Sequence, residues 1–418
     1  MASSRPSRRE VLKGAVGVAA GAGAARLADA LPAAAQELPA SPVVPDDPTT
    51  LIGAPTSAVG TRSPFVQPSR TPVGLTEGTS KTPLQLLSGT ITPSDLHFER
   101  HHGGIPAIDP ARHRLLVHGR VAHPTEFSLD DLKAFPPVTR PHFIECAGNG
   151  REAFRKPRPD LTPQQIDGQV SNSEWTGVRL GDLLAEVGMD AEATWMLAEG
   201  GDAARLTRSV PVWKALDDAL LVYAQNGEPL RPETGFPLRL LLPGWEGNIN
   251  VKWLRRLELG SAPWMTRWET SKYTDPLPGN VARRFSFEQD VKSIITTPAH
   301  PEVLAPGPRI IAGFAWSGRG RITRVEVSTD RGATWRDAAL VGEQHPKSVV
   351  RFTLPWRFTG TEAVLMSRAT DETGMTQPTR TDWRATHGPG TDYHFHEVRA
   401  WKVAADGAVT FANGEVWA

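Results

Sequence analysis

The sequence predicts an α+β fold, a mixed α/β domain over about residues 91–284 followed by an antiparallel β-sandwich over about residues 285–418. Three observations carry that expectation. Short helical and strand-like segments mix before residue 285 without a regular βαβ repeat. Short strands separated by turns follow it. The 38 glycines and 37 prolines among 418 residues impose many turns and little helix.

At the start of the chain, Ser7-Arg8-Arg9-Glu10-Val11-Leu12-Lys13 precedes a weakly apolar Ala/Gly stretch and the small-residue site Ala33-Ala34-Ala35. Residues 1–35 thus have the pattern of a twin-arginine export signal, with Val11 where phenylalanine is more usual. That pattern implies a folded, periplasmic protein, and no other stretch is apolar enough to span a bilayer. Residues 36–90 are rich in Pro, Ser, Thr and Gly and read as an extended arm, with order beginning near Ile91.

Within residues 91–284, Leu115 to Val121 reads as a strand and Ser128 as the N-cap of a short helix. Leu180 to Val187 reads as a second short helix. Phe236 to Pro243 is an apolar strand closed by a proline stop. Beyond Pro276-Leu277-Pro278-Gly279, strands are expected over Ile310–Trp316, Ile322–Ser328 and Val349–Leu354. Asp330-Arg331-Gly332 supplies a hairpin turn before Trp335. This texture fits a β-sandwich.

The formal net charge is zero, so no bulk field favours nucleic acid or anionic lipid. No P-loop, no GxGxxG after a strand and no Gly-x-Ser-x-Gly elbow occurs. Cys146 is the single cysteine, which excludes an intramolecular disulfide, a CxxC redox pair and a CxxCH haem site, so this chain carries no haem. The thiol is left open to packing, to nucleophilic chemistry or to ligating a soft metal. It follows an apolar run and enters the turn Gly148-Asn149-Gly150-Arg151, a place that can present a side chain to a cleft. Two further clusters stand out: His97-Phe98-Glu99-Arg100-His101-His102, and Arg239 with Asn248 to Trp253. Zinc is disfavoured for the first, because no second ligand pair stands at zinc spacing. Arginine and lysine beside buried strands make structural ion pairs or grip oxyanions. His394-Phe395-His396 has strand spacing, with both rings on one face, and reads as a polar dimer or partner surface.

Together these residues resemble the sulfite oxidase family of molybdenum-cofactor enzymes. The resemblance covers about residues 91–400. It rests on Phe98-x-Arg100-x-His102, Cys146-Ala147-Gly148-Asn149, Trp175 to Leu180, Gly235 to Arg239 and Val251-Lys252-Trp253. Val291 to Ile294 and Ala315 to Gly318 are similar to that family's immunoglobulin-like dimerisation domain. Within the family, His97 to His102, Asn172 to Gly177, Pro243 to Asn248 and Glu269 to Asp275 resemble the sulfane dehydrogenases of thiosulfate oxidation.

The resemblance implies a sulfite-oxidase-type molybdopterin domain followed by an immunoglobulin-like antiparallel β-sandwich. It makes Cys146 the thiolate ligand of molybdenum and places Arg100, Arg151 and Tyr273 in an anionic substrate pocket. Phe98, Arg100, His102, Asp202, Arg239, Asn250 and Lys252 fall at positions that hold the pterin and its phosphate. Thr234 stands where many relatives have a pterin-contacting histidine, and Gln165 where many have a pocket tryptophan. A third pocket arginine falls to Arg384 or to the position of His387. These departures favour a substrate larger than sulfite. The implied partners are a c-type cytochrome acceptor and a sulfur-carrier protein as substrate, with a homodimer formed through the second domain inside a heterotetramer. The readings in view are oxidation of persulfide sulfur on a carrier, a sulfite:cytochrome c oxidoreductase, and a non-catalytic periplasmic assembly module.

Overall fold

The computed structural model describes residues 51–388 and 390–416. The expected export signal over 1–35 and the first part of the expected arm lie outside the described residues. Residues 51–64 belong to a unit of their own and are exposed, without helix or strand. From Phe65 onward the chain is a second unit.

Strand structure begins before residue 91. Thr71–Gly74 and Gly78–Lys81 pair as an antiparallel hairpin, and the second strand continues onto Glu99–His101. Gly74 allows the reversal because it takes φ 83, a conformation that costs other residues energy.

Two further sheets build the first domain. One runs Glu228–Pro229, Leu220–Gln225, Val170–Arg179, Pro137–Glu145, with Arg239–Leu241 also pairing on Leu220–Gln225. The other runs Thr125–Phe127, Leu115–Gly119, Leu254–Gly260, Trp195–Gly200, Thr207–Pro211. Its one parallel pairing joins Leu254–Gly260 to Leu115–Gly119. Among the described residues no helix exceeds seven residues. Ser128 caps Leu129–Lys133: its hydroxyl accepts from the Asp131 N–H at 3.2 Å, and the Asp131 carboxylate accepts from the Ser128 N–H at 2.8 Å. Leu180–Glu186 buries Leu180, Leu183 and Leu184, the i, i+3, i+4 stripe that packs a helix on a sheet. The strand expected over Phe236–Pro243 is confined to Arg239–Leu241. Pro237 and Pro243 have no N–H to give a ladder, so pairing stops between them.

The C-terminal part is built from two sheets whose strands pair antiparallel. One sheet runs Lys292–Thr297, Gly307–Trp316, Val350–Phe358, Ala339–Val341, and the other Arg336–Asp337, Ile322–Ser328, Ala363–Asp371, Ala400–Val403, Val409–Phe411. Their inner faces share a core that includes Phe314, Trp316, Phe352, Leu365 and Trp401. At roughly 25 cal/mol per Å2, a tryptophan burying about 200 Å2 stabilises by about 5 kcal/mol. Phe143, Ala153, Leu161 and Ile166 of the first domain join the same core. The strand that leads to Cys146 is therefore seated on the sandwich.

Candidate active site

Pro137–Glu145 pairs with Val170–Arg179 until Glu145 faces Val170, and the Cys146 N–H closes the ladder on the Gln169 carbonyl at 3.0 Å. The thiol therefore leaves from the end of a strand whose register is fixed. A side chain at Gly247 would have its Cβ 2.8 Å from the Glu145 carbonyl oxygen and 3.4 Å from Cys146 Cα, so the opposing loop approaches this closely only as glycine.

Cys146, Phe98, Arg100, His102, Asp202, Arg239, Asn250, Lys252 and Tyr273 all line one cleft. It encloses about 720 Å3 of unfilled space, the part open to solvent included. The floor is cationic. Arg239 is buried; it donates to the carbonyls of Thr234 at 2.8 Å and Asn250 at 3.1 Å, and its Nε has no partner. Burial pushes its pKa down to about 9, with no charge nearby that offsets the effect. Lys252 Nζ donates to His101 Nδ1 at 2.8 Å and to the Glu233 and Arg100 carbonyls at 3.0 and 3.3 Å. Burial and then the charge of Arg239 hold its pKa well below the ordinary lysine range.

The mouth is built differently. The Arg100 guanidinium reaches His102 Nδ1 at 3.4 Å, and His102 Nε2 meets the Tyr273 hydroxyl at 2.9 Å. Burial, then the charge of Arg100, lowers the His102 pKa to about 4, so the ring is neutral. His102 Nδ1 faces both the Arg100 guanidinium, which donates, and the Glu77 carboxylate, which accepts, at 3.6 Å, so the ring's tautomer sets which of Nε2 and the Tyr273 hydroxyl donates. With the proton on Nε2, the ring donates to the tyrosine oxygen and leaves the phenolic O–H free to point at a ligand. Burial, then the charge at Cys146, raises the Tyr273 pKa, which keeps that proton in place. Tyr273 holds φ 47 and packs under the guanidinium of Arg208, 5.1 Å from its ring centre. Burial raises the Cys146 pKa, while a hydrogen bond from Gly148 and the charges of Arg100 and Arg151 draw it down. A bound cation would add to that pull and fix the thiolate.

Some expected residues stand elsewhere or act differently. Arg151 does not line the cleft; its guanidinium donates to the Asp392 carbonyl at 2.7 and 2.9 Å and pairs with the Asp392 carboxylate at 3.3 Å. The cause is Gly150, whose φ of 91 starts helix Arg151–Arg155 toward the loop carrying Asp392. The Asn250 side chain is engaged by backbone, accepting from Leu242 N–H at 2.7 Å and donating to the Trp245 and Glu246 carbonyls at 3.1 and 2.8 Å. It shapes the cleft wall. Asp202 accepts from the Leu206 N–H at 3.4 Å and pins the turn there. Thr234 lines the cleft, whereas Gln165 caps helix Pro163–Asp167 through a 2.9 Å bond from the Thr162 N–H. Arg384 and His387 line a separate open groove with Phe154 and Trp383.

The reading of His394 and His396 as a surface pair is corrected. His394 is buried, 2.8 Å from Glu246 and 3.3 Å from Asp290, and His396 lies 3.4 Å from Asp290. The segment is not a strand, so alternation does not place the rings. His97 carries a role that the histidine-rich pattern alone did not assign. It lines the cleft stacked on Phe98, gives Nδ1–H to the Phe98 carbonyl at 2.7 Å, and leaves Nε2 buried without a partner. Burial, then the charge of Arg239, lowers its pKa to about 3, so this nitrogen is a neutral acceptor.

Residues 102–268 match the family model of the oxidoreductase molybdopterin binding domain, and residues 283–399 that of the Mo-co oxidoreductase dimerisation domain. The sulfite oxidase of Gallus gallus is 32% identical over 325 residues, which covers 72% of this chain and 71% of that protein. The chain belongs to the sulfite oxidase family of molybdopterin oxidoreductases, and the reading as a non-catalytic assembly module is set aside. Among solved structures, the sulfane dehydrogenase SoxCD from Paracoccus pantotrophus matches with a TM-score of 0.84 at 40% identity, covering 89% of this chain and 98% of that one. The mitochondrial sulfite oxidase of Rattus norvegicus is 35% identical, and the nitrate reductase of Ulva prolifera 33%. This chain spans 53% and 39% of their respective lengths.

The residues present fit the family's cofactor. Arg239 is buried without a carboxylate partner and calls for an anion, which a phosphate supplies, whereas Lys252 already feels Glu99, Asp202 and Glu233. The unpartnered Nε2 of His97 and Nε of Arg239 offer an acceptor and a donor to a polar ring system. Among the described residues no three of His, Cys, Asp and Glu converge as a metal-ligand set. Cys146 is the soft donor that faces the cleft.

Proposed function

We propose that this chain oxidises sulfane or persulfide sulfur carried on a partner protein during thiosulfate oxidation and passes the electrons to a c-type cytochrome subunit. The observation that carries the reading is the convergence of Cys146, Tyr273 and Arg100 at the mouth of a cleft floored by Arg239 and Lys252. The likeness to sulfane dehydrogenase supports the choice of substrate.

In this reading Cys146 holds molybdenum, Arg239, Lys252 and His97 hold the pterin and its phosphate, and Phe98 walls the ring system. When bound, molybdenum supplies two-electron oxygen-atom transfer. Tyr273 donates its phenolic hydrogen bond to the sulfur group, held in that orientation by His102, and Arg100 supplies positive charge beside it. Each oxygen added to sulfur from water releases two electrons and two protons. With no haem motif in the chain, those electrons leave through a separate carrier. The sandwich would pair two copies, within an assembly that includes the cytochrome. The segment over 1–35 would direct the folded protein to the periplasm by the twin-arginine route.

Reconstitution with a c-type cytochrome and a persulfide-loaded carrier protein tests this. Cytochrome reduction that depends on the carrier is the expected result, and none at all would sink the reading. Turnover of free sulfite alone, without turnover of the carrier, would favour the second reading, a sulfite:cytochrome c oxidoreductase, which the likeness to the Gallus gallus enzyme supports.

A further inference from the structure

The hairpin of Thr71–Gly74 and Gly78–Lys81 precedes the stretch that matches the molybdopterin family model, which starts at residue 102. It is nonetheless paired onto Glu99–His101, the strand whose residues line the cleft. Gly78 pairs with His101 and Thr79 with Arg100, and the Gly104 N–H donates to the Thr76 carbonyl at 2.8 Å. The tip therefore cannot swing freely away from the residues it covers. At the tip, Glu77 sets its Oε1 3.2 Å from the Arg100 guanidinium and 3.6 Å from His102 Nδ1. The other terminal nitrogen of Arg100 donates to the His101 carbonyl and to the Gly78 carbonyl, the latter at 3.4 Å. The hydrogen bond and charge of Arg100 lower the Glu77 pKa, so the carboxylate is ionised at neutral pH.

The two ends of the cleft thus differ in charge balance. Arg239 in the floor has no anion beside it, whereas Arg100 at the mouth already carries one. A free sulfur oxyanion arriving at Arg100 must displace a tethered carboxylate or sit beside it, and either costs binding energy. Sulfur attached to a larger carrier can draw binding from contacts elsewhere and needs less from Arg100.

We propose that Glu77 is a specificity-determining residue, a tethered carboxylate that occupies the anion position on Arg100 and discriminates against small free sulfur oxyanions. The proposal rests on the preceding reading that Arg100 faces the substrate. It deepens that reading by naming what excludes free sulfite.

The test uses the full-length, cofactor-loaded protein, with sulfate as a non-reacting probe followed by tryptophan fluorescence; Trp268 lies 4.8 Å from the His102 ring. Glu77→Gln should bind sulfate about threefold more tightly at low ionic strength, the scale of a partly exposed charge pair. The gain should shrink as salt is added. KM for sulfite should fall by a similar factor with kcat nearly unchanged. Glu77→Asp should restore weak binding, and the gain should vanish in the double variant Glu77→Gln/Arg100→Gln. Equal sulfate affinity in wild type and Glu77→Gln would overturn the proposal, and so would a gain that survives loss of Arg100. These binding results stand even if the substrate reading fails in turnover, so the two failures are separable.

Discussion

Two regions of this molecule bury positive charge, and they do so in opposite ways. Where the first domain meets the sandwich, Lys292 lies 3.1 Å from Glu145 and 2.7 Å from Asp167. Arg399 reaches Asp167 at 3.1 Å and also pairs with Glu397. Glu145 further accepts from Trp316 Nε1 at 2.7 Å and Asn149 Nδ2 at 2.9 Å. Two buried cations there meet three buried carboxylates. In the cleft floor Arg239 is as deeply buried and has two carbonyls and the face of the Trp175 ring, 5.2 Å away, but no carboxylate. A buried charge must be compensated by something. At the junction the chain supplies it, so that cluster holds Glu145 and hence Cys146 in place. In the floor the chain leaves the compensation to a ligand. On the reading proposed above, the unbalanced cation marks the cofactor's place, while the balanced ones mark the scaffold.

The largest expected effect breaks the balanced side. Asp167→Asn removes the carboxylate that Lys292 and Arg399 share, leaving each with one partner, Glu145 and Glu397, and should cost about 1.5–3 kcal/mol of stability, the scale of a buried charged hydrogen bond. Chemical denaturation checks it; a loss below about 1 kcal/mol would place the cluster among incidental ion pairs.

The next effect sharpens the unbalanced side. Arg239→Leu in cofactor-free protein should change stability by less than about 1 kcal/mol, because it removes a charge that is buried without a counterion. The same change should weaken molybdopterin retention by about 10- to 100-fold, the scale of a charged hydrogen bond worth roughly 1.5–3 kcal/mol. Denaturation and pterin content per protein measure the two halves. A large stability loss with full pterin content would reverse the assignment.

A smaller effect concerns the histidine cluster between the regions. Burial opposes charge on His394, but Asp290 and Glu246 outweigh it and raise its pKa well above 6.5. Nearby, burial raises Asp275 to about 6, and His396 also faces Asp290. Folding therefore favours protonated His394. The stability it contributes is full below about pH 6.5 and is lost as pH rises through the higher folded-state pKa. Melting temperature should fall from pH 7 toward alkaline pH in the wild type, and fall less steeply in His394→Gln. Parallel pH profiles would remove His394 from the account.

Much of this was legible in the sequence, for identifiable reasons. Ser128 before an apolar helical stretch reads as an N-cap in local code, and Val325 and Val327 among polar neighbours marked the strand Ile322–Ser328, although Glu326 between them is buried too. Cys146, Arg239 and Lys252 stood out beside apolar runs, and the resemblance to the sulfite oxidase family gave them their expected roles. The misreadings came where tertiary contacts override local pattern. His394 and His396 have strand spacing, yet the loop that carries them is folded onto Asp290 and Glu246. Arg151, by contrast, stays near enough for its charge to bear on the Cys146 thiol, although after the left-handed Gly150 its guanidinium pairs with Asp392. The hairpin over 71–81 was hidden in a stretch that reads as a polar arm, since its partner strand Glu99–His101 lies about twenty residues downstream and no local period reveals the pairing. Glu77 became visible only with that pairing.

The central claim is that the sulfur of Cys146 ligates molybdenum in this cleft. X-ray absorption at the molybdenum edge, comparing wild type with Cys146→Ser, counts the sulfur atoms bound to the metal. One sulfur fewer in the variant is the predicted result, and an unchanged sulfur count in a molybdenum-loaded variant would contradict it.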